Sequence, residues 1–128
     1  GAFVESDRRV LAVLEQNLDA LGARDRSRVL GMPVRAALSR LAEEGTPFAL
    51  ILADPPYDDA AGGALPAWLG EAGALVLAAA GVLVLEVPAG TPRTSAGPLA
   101  RTRVRVLGET ELWFHQRRAG EPAAEVRE

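Results

Sequence analysis

Apolar residues along the chain follow two alternating patterns, one with helical spacing and one typical of strands. In the first helical segment Val10, Leu14 and Leu18 lie on one face, while Asp7 is placed to cap its amino end and Gly22 to terminate it. Short apolar or alternating runs separate the helical segments and predict strands. The predicted helices cover 8–21, 34–44 and 64–80, and the predicted strands cover 2–5, 28–31, 48–53, 82–87, 101–107 and 110–116.

The order of these elements predicts an α/β fold. Strands that alternate with helices indicate a mostly parallel sheet covered on both faces, and the turn at Gly108-Glu109 predicts a C-terminal antiparallel hairpin. The run 48–53 is continuously apolar, so we expect this strand to be buried on both of its faces. The domain is predicted to span 1–118, followed by a polar tail over 119–128.

Composition narrows the class of protein. A length of 128 residues suits one domain, and 48% hydrophobic with 24% charged residues is typical of a globular protein. Cysteine is absent, which excludes disulfides and thiolate metal sites and suits a cytoplasmic location. No apolar run reaches the roughly 18 residues of a membrane span, so no membrane partner is expected. The net charge of −3 argues against a nucleic-acid binder, although overall charge says little about a local patch.

One loop carries residues suited to chemistry on an amine. Asp54-Pro55-Pro56-Tyr57 follows the apolar strand, and two prolines cannot continue a strand. The exocyclic amine of a nucleic-acid base is a poor nucleophile, because its lone pair is delocalised into the ring. Asp54 can accept one amine hydrogen, the Pro55 carbonyl can accept the other in a direction fixed by the proline ring, and Tyr57 can stack on the base. The alternative is a rigid strand-to-loop turn without a catalytic role.

This loop resembles the Asp-Pro-Pro-Tyr motif of amino-methyltransferases that act on adenine, cytosine or guanine. More narrowly, residues 1 to about 118 resemble the RsmD-type methyltransferases, which methylate guanine N2 in small-subunit ribosomal RNA. The similar stretches are Gly1–Asp7, Asn17–Gly22, Gly45–Phe48 leading to Asp54, Val106–Thr110 and Gln116–Arg118. The resemblance implies a Rossmann-like S-adenosylmethionine-dependent methyltransferase fold.

The fold is expected to be incomplete at its N-terminus, because the family's first strand and glycine-rich cofactor loop have no counterpart in this sequence. In the family that strand lies beside the strands that end here at Glu5 and Asp54. Its absence is therefore expected to leave two strand edges open.

The resemblance also implies which residues meet the cofactor, S-adenosyl-L-methionine. Glu5 corresponds to the carboxylate that binds the ribose hydroxyls, and a strand end suits that role. The family usually has an acidic or amide residue after the next strand, where this chain has Pro33, or Met32 in a shifted register. Met32 can pack on the adenine face or belong to the core. Asp54 is expected to serve the cofactor side as well as catalysis, Pro56 to complete the catalytic loop, and no metal is expected.

Other conspicuous side chains allow more than one interpretation. His115, the single histidine, is expected to be structural or surface-exposed, because one histidine makes neither a metal site nor a catalytic triad. Glu86 can position the catalytic loop or be a solvated strand end, and Trp68 is expected in the core. A phosphate-binding edge and a solvated edge that discourages strand pairing are both compatible with four arginines near the last hairpin: Arg93, Arg101, Arg103 and Arg105.

The sequence therefore predicts methyl transfer to guanine N2 in 16S ribosomal RNA, with ribosomal RNA or the small ribosomal subunit as partner. Guanine presents its N1–H and N2–H donors side by side, and an ionised Asp54 can accept from both. Two alternatives stay open. One is an adenine-N6 or cytosine-N4 amino-methyltransferase that acts on DNA or RNA, and the other is a catalytically inactive methyltransferase-fold fragment that acts as a binding module.

Overall fold

The computed structural model describes residues 1–55 and 65–118. Contacts divide the chain into two units, Gly1–Leu41 and Ala42–Glu128, and in both of them a helix follows the first strand and leads into a parallel partner strand. Helices and strands alternate until the final antiparallel hairpin, which confirms the predicted α/β class.

The first unit consists of a strand–helix–strand segment and the start of a second helix. β1 (Ala2–Val4) leads into α1 (Arg8–Ala20), and β2 (Arg28–Leu30) follows a short 3-10 turn and pairs with β1 in parallel. α2 (Val34–Glu44) begins in this unit and ends in the other. The buried apolar side chains of this unit are Leu18, Leu30, Ala37, Leu38 and Leu41.

Both ends of α1 are capped as predicted. Asp7 Oδ1 accepts hydrogen bonds from the backbone N–H groups of Arg9 and Val10, at 2.8 and 3.2 Å, so two N–H groups that lack intrahelical partners are satisfied. Gly22 follows the last turn with φ of +59°, a conformation that costs glycine little, and its N–H donates to the Asp19 carbonyl. These caps fix where the chain leaves β1 and where it turns back toward β2.

In its described residues the second unit has a four-stranded mixed sheet and, after the end of α2, one helix. β3 (Phe48–Ala53) and β4 (Leu77–Pro88) are parallel neighbours, and α3 (Leu65–Ala74) lies between them in the chain. β5 (Leu99–Leu107) and β6 (Thr110–Arg117) form the predicted hairpin, and β6 pairs with β4, so the strand order is β3-β4-β6-β5. Since β4 and β5 are both antiparallel to β6, the strands β3, β4 and β5 all run in the same direction.

Alternation along β6 places its core residues on one face of this sheet. Glu111, Trp113 and His115 are buried there, opposite Val87, Leu85 and Leu83 of β4. α3 also packs closely against the segment that follows β4. At Gly70 a Cβ atom would overlap the carbonyl group of Ala96, so this contact requires glycine.

The predicted helix over 64–80 is too long at its C-terminal end. α3 ends at Ala74, and β4 already begins at Leu77. The alanine- and leucine-rich stretch favours a helix locally, but Leu77 pairs with Phe48 and is fully buried, so sheet pairing overrides that preference. Gly81 lies inside β4 rather than at a helix end. A Cβ atom at this position of the strand would come within 2.7 Å of the Leu77 side chain.

The prediction that the 48–53 strand is buried on both faces is also wrong. Leu50 and Leu52 of β3 are 56% and 72% exposed. β3 is the last strand of its sheet, and alternate side chains on one of its faces remain uncovered among the described residues. β1 likewise has a single described neighbour, so the two strands that end near Glu5 and Asp54 each have an open edge, as expected.

Candidate active site

Glu5 stands directly after β1, and its carboxylate is held from one side. The Glu5 N–H donates to the Leu30 carbonyl at 3.2 Å, which extends the strand pairing by one residue. Glu5 Oε1 accepts from the backbone N–H groups of Ser6 and Asp7 at 3.0 and 2.9 Å. No described residue donates to Oε2. A half-buried carboxylate with one oxygen fixed and the other open is suited to accept hydrogen bonds from ligand hydroxyls.

Met32 stands two residues after β2. Its N–H donates to the Leu30 carbonyl at 3.0 Å, and the residue is half-buried. Pro33 is exposed and its carbonyl accepts from the N–H of Ala37, so Pro33 serves as the start of α2. Because β1 and β2 are parallel, Glu5 and Met32 follow the carboxyl ends of neighbouring strands and lie at the same edge of the two-stranded sheet.

Asp54 stands directly after β3, in the other unit. Ala53 pairs with Leu85, so Asp54 comes level with Glu86 of the neighbouring strand. Asp54 is exposed, and its carboxylate makes no hydrogen bond or ion pair with any described residue. Pro55 is half-buried. Thus the only charged group of the predicted catalytic loop that the structure describes is open to a ligand, whereas Pro56 and Tyr57 lie outside the described residues.

The segment after β4 is tied to the same edge of the sheet. The Ala89 N–H donates to the Glu109 carbonyl at 2.8 Å, and the Thr91 hydroxyl donates to the Pro88 carbonyl at 2.6 Å. Arg93 forms an ion pair of 3.3 Å with Glu111, whose side chain is only 7% exposed. These contacts hold the segment beside the carboxyl end of β4, the strand next to Asp54.

Glu111 is a residue that sequence reasoning missed. It precedes Trp113 and His115 at strand periodicity, which is the signal that places it on their buried face. A carboxylate on a buried face needs a partner, and Arg93 supplies it. Glu86, by contrast, is half-buried inside β4 opposite Leu112, two residues before the strand ends, and its role in positioning the loop stays a prediction.

His115 is structural, as expected. Its side chain is 1% exposed, and neither ring nitrogen has a hydrogen-bond partner among the described residues. Burial lowers the pKa of His115 below its ordinary value of 6.5, and the positive charge of Arg101 lowers the pKa further. The backbone of Leu83 and Trp113 acts in the opposite direction, but burial outweighs it. The imidazole is therefore neutral in the folded protein near pH 7.

The four arginines proposed as one edge do not form one. Arg93 pairs with Glu111, Arg101 lies over the ring of Trp113 at 4.8 Å, and Arg103 lies over Phe114 at 5.7 Å. Trp113 and Phe114 point to opposite faces of the sheet, and a register shift between Arg101 and Arg103 keeps each arginine on the face of its aromatic partner. A run of arginines at alternating positions does not reveal such a shift.

Trp68 is half-buried. In the part of the chain that the structure describes, no helix is both long and apolar enough to cross a membrane. Within the same residues, histidine, aspartate and glutamate nowhere gather in groups of three that could bind a metal ion.

A family model described as "Conserved hypothetical protein 95" matches residues 1–116. The chain belongs to this family. The match confirms the resemblance to the RsmD-type group. No curated protein gives a significant match to the sequence.

Solved structures share the fold of this family member. A conserved hypothetical protein of Streptococcus pyogenes is 20% identical, with a TM-score of 0.78, over 95% of this chain and 74% of that one. The hypothetical protein TTHA0928 of Thermus thermophilus is 29% identical, with a TM-score of 0.74, over 90% of this chain and 61% of that one. The proposed methyltransferase yhhF of Escherichia coli is 27% identical, with a TM-score of 0.68, over 92% of this chain and 62% of that one. The chain thus spans about three fifths of the length of the last two, and its fold is the Rossmann-like α/β fold of methyltransferases.

Proposed function

We propose that this chain holds the target amine and part of the cofactor in an S-adenosylmethionine-dependent methyltransferase, and that the amine is N2 of guanine in small-subunit ribosomal RNA. The observation that carries the proposal is the position of Asp54-Pro55. They directly follow β3, at the carboxyl edge of parallel strands where ligands of such folds bind, and the Asp54 carboxylate has no described partner.

Asp54 and Pro55 act by orienting the amine. S-adenosylmethionine, when bound, supplies an electrophilic methyl group on a positively charged sulfur. The Asp54 carboxylate and the Pro55 carbonyl accept the two amine hydrogens, which turns the nitrogen lone pair toward that methyl group. With the cofactor bound, methyl transfer to this nitrogen would release the cofactor as its thioether, and the methylated amine would then lose a proton to Asp54 or to water. The protein contributes orientation and a fixed polar environment rather than a strong base.

Glu5 fits the role of the cofactor's ribose ligand. One carboxylate oxygen is held by two backbone N–H groups, so the side chain is oriented before any ligand binds. The other oxygen is available to accept from ribose hydroxyls, and Met32, at the same edge, supplies an apolar surface for the adenine ring. Among the solved structures with this fold, the methyltransferase SMU.776, 11% identical, is described as complexed with SAH.

Guanine is the favoured base because its Watson–Crick edge offers two adjacent donors to one carboxylate. Adenine offers an acceptor beside its amine, which a carboxylate cannot satisfy while it is ionised. The resemblance of the sequence to the RsmD-type methyltransferases, which methylate guanine N2 in ribosomal RNA, supports the same assignment. The first alternative is an amino-methyltransferase that acts on adenine N6 or cytosine N4. The second alternative is a non-catalytic binding module.

The decisive experiment identifies the product. The complete protein is incubated with S-adenosylmethionine and with small ribosomal subunits or 16S RNA that lack the modification, and the RNA is digested for nucleoside analysis. We expect N2-methylguanosine. Methylation on adenine N6 would contradict the guanine assignment and retain the reaction class, whereas no transfer to any base amine would contradict the reaction itself.

Glu5→Gln tests the cofactor site. Glutamine keeps an oxygen for the N–H groups of Ser6 and Asp7 but removes the charge that strengthens hydrogen bonds to hydroxyls, so we expect roughly tenfold weaker S-adenosylmethionine binding by calorimetry. Glu43→Gln, an exposed change on α2, is the matched control and should bind as the wild type does. Equal affinities for both variants would remove Glu5 from the site.

A further inference from the structure

A small polar cavity lies at the start of β5, in the second unit. Its volume is about 210 Å³, and its polar lining comes from Thr94, Ser95, Arg101 and Arg118, with apolar side chains between them. It is smaller than the roughly 300 Å³ at which drug-sized ligand sites begin, but it is large enough for a single phosphate group.

Arg101, Ser95 and Arg118 each make a hydrogen bond beside this cavity and have further N–H or O–H groups that donate to no described residue. Arg101 lies over the Trp113 ring and donates from Nη1 to the Thr94 carbonyl at 3.2 Å, which orients a guanidinium that has four further N–H groups. Ser95 Oγ accepts from the Gly97 N–H at 3.3 Å, so the hydroxyl hydrogen is free to donate. Arg118 donates from Nε to the Gly97 carbonyl at 3.5 Å, and this bond leaves both of its terminal nitrogens open.

Among the described residues, no carboxylate compensates the positive charge of the cavity. No described carboxylate forms an ion pair with Arg101 or Arg118, in contrast to Arg93, which Glu111 neutralises. Two guanidinium groups and a hydroxyl around a cavity without a carboxylate favour an oxyanion, and arginine matches phosphate oxygens in geometry as well as in charge. The net charge of −3 on the whole chain does not remove this local positive field.

The cavity and Asp54 lie on different strands and at different levels of the sheet. Arg101 of β5 pairs with His115 of β6, His115 pairs with Leu83 of β4, and Leu83 pairs with Ile51 of β3. Arg101 is therefore three strands away from β3 and level with Ile51, three residues before Asp54. At about 4.8 Å between strands and about 3.3 Å per residue, the two positions are about 17 Å apart, so one small ligand cannot reach both.

We infer that this cavity binds a backbone phosphate of the RNA substrate, as an anchor remote from the reacting base. The assignment of the phosphate to RNA rests on the proposed function, whereas the phosphate chemistry rests on the cavity alone. Phosphate contacts position a nucleic acid without reading its sequence, so the cavity contributes to affinity and not to the choice of base.

The test compares Arg118→Gln with Arg105→Gln. Both change an exposed arginine of the same region, but Arg105 lies outside the cavity, and its pairing with Leu112 places it on the opposite face of the hairpin from Trp113. Binding of a fluorescein-labelled single-stranded oligoribonucleotide is measured by anisotropy between about 50 and 200 mM salt. Each phosphate contact on a single strand contributes about 0.7 to the slope of log affinity against log salt. Arg118→Gln should lower this slope by about that amount and weaken binding several-fold at the lower salt, while Arg105→Gln should not change the slope.

Two further readouts separate the possible outcomes. In the methyl-transfer assay Arg118→Gln should raise KM for RNA several-fold and leave kcat unchanged. Equal slopes for the two variants would overturn the inference, even if methyl transfer proceeds as proposed. A titration with inorganic phosphate distinguishes the source of the ligand: phosphate binding that is lost in Arg118→Gln without any change in the RNA slope would overturn the assignment to RNA. A slope that falls as expected in a protein without methyl-transfer activity would uphold the cavity and contradict the proposed function.

Discussion

The interior of β6 and the end of β3 both place polar side chains in the second unit, but with opposite surroundings. Glu111, Trp113 and His115 are each at most 5% exposed and are buried on one face of the sheet, beside residues of β4. Asp54 is exposed and without a described partner. The three buried side chains of β6 contribute to stability through packing, whereas the Asp54 side chain makes no described contact that would stabilise the fold.

This difference separates the polar residues that the fold buries from Asp54, which is proposed to meet a ligand. Several polar atoms in the β6 interior have no described partner, namely Glu111 Oε2, Trp113 Nε1 and both ring nitrogens of His115. An unpaired buried polar atom costs about 1–3 kcal/mol, so the apolar bulk of these side chains must offset that cost. At the end of β3 no such constraint acts, and a charged residue there is free to meet a ligand.

The largest effect on stability is expected for Trp113→Ala. Trp113 is fully buried, so its removal loses the transfer free energy of a large ring and leaves a cavity, at a cost of about 3–5 kcal/mol. Leu107→Ala, at a position 50% exposed on the same hairpin, is the control and should cost well under half of that. Urea unfolding of both variants measures the difference. A loss below about 1 kcal/mol for Trp113→Ala would show that the β6 interior is not the core of this unit.

A smaller effect is expected from protonation of His115. Because the pKa of His115 is lowered in the folded state, its full contribution to stability is present above the ordinary value of 6.5. As the pH falls below 6.5, His115 is protonated more readily in the unfolded chain than in the folded protein. The free energy of unfolding therefore decreases, by at most about 1.4 kcal/mol per pH unit. Unfolding of wild type and His115→Gln at pH 7.5, 6.5 and 5.5 tests this. The wild type should lose more stability than the variant between pH 6.5 and 5.5, and parallel curves would contradict the account.

Local patterns predicted some features of both regions. The hairpin was predictable because Gly108 and Glu109 separate two alternating runs, and Gly108 indeed has φ of +62°. The position of Asp54 after an apolar strand was also predictable from the sequence. Neither the early end of α3 nor the exposure of Leu52 follows from local pattern, because long-range pairing and the number of neighbouring strands decide them. The phosphate cavity was unpredictable for the same reason: it depends on a turn at Gly97 and on Arg118, 17 residues after Arg101 in the chain.

The smallest effect on stability is expected for Asp54→Ala, and the same variant tests the central claim most directly. Exposed Asp54 makes no described contact, so unfolding should stay within about 0.5 kcal/mol of the wild type. In the proposed mechanism the carboxylate is needed only while the amine is held for attack, so turnover in methyl transfer to small-subunit RNA should fall by a factor on the order of 10²–10³. Stability and kcat measured on the same preparation of the complete protein give the answer. Lost turnover with unchanged stability is the result that the account predicts, and near-normal turnover would contradict it.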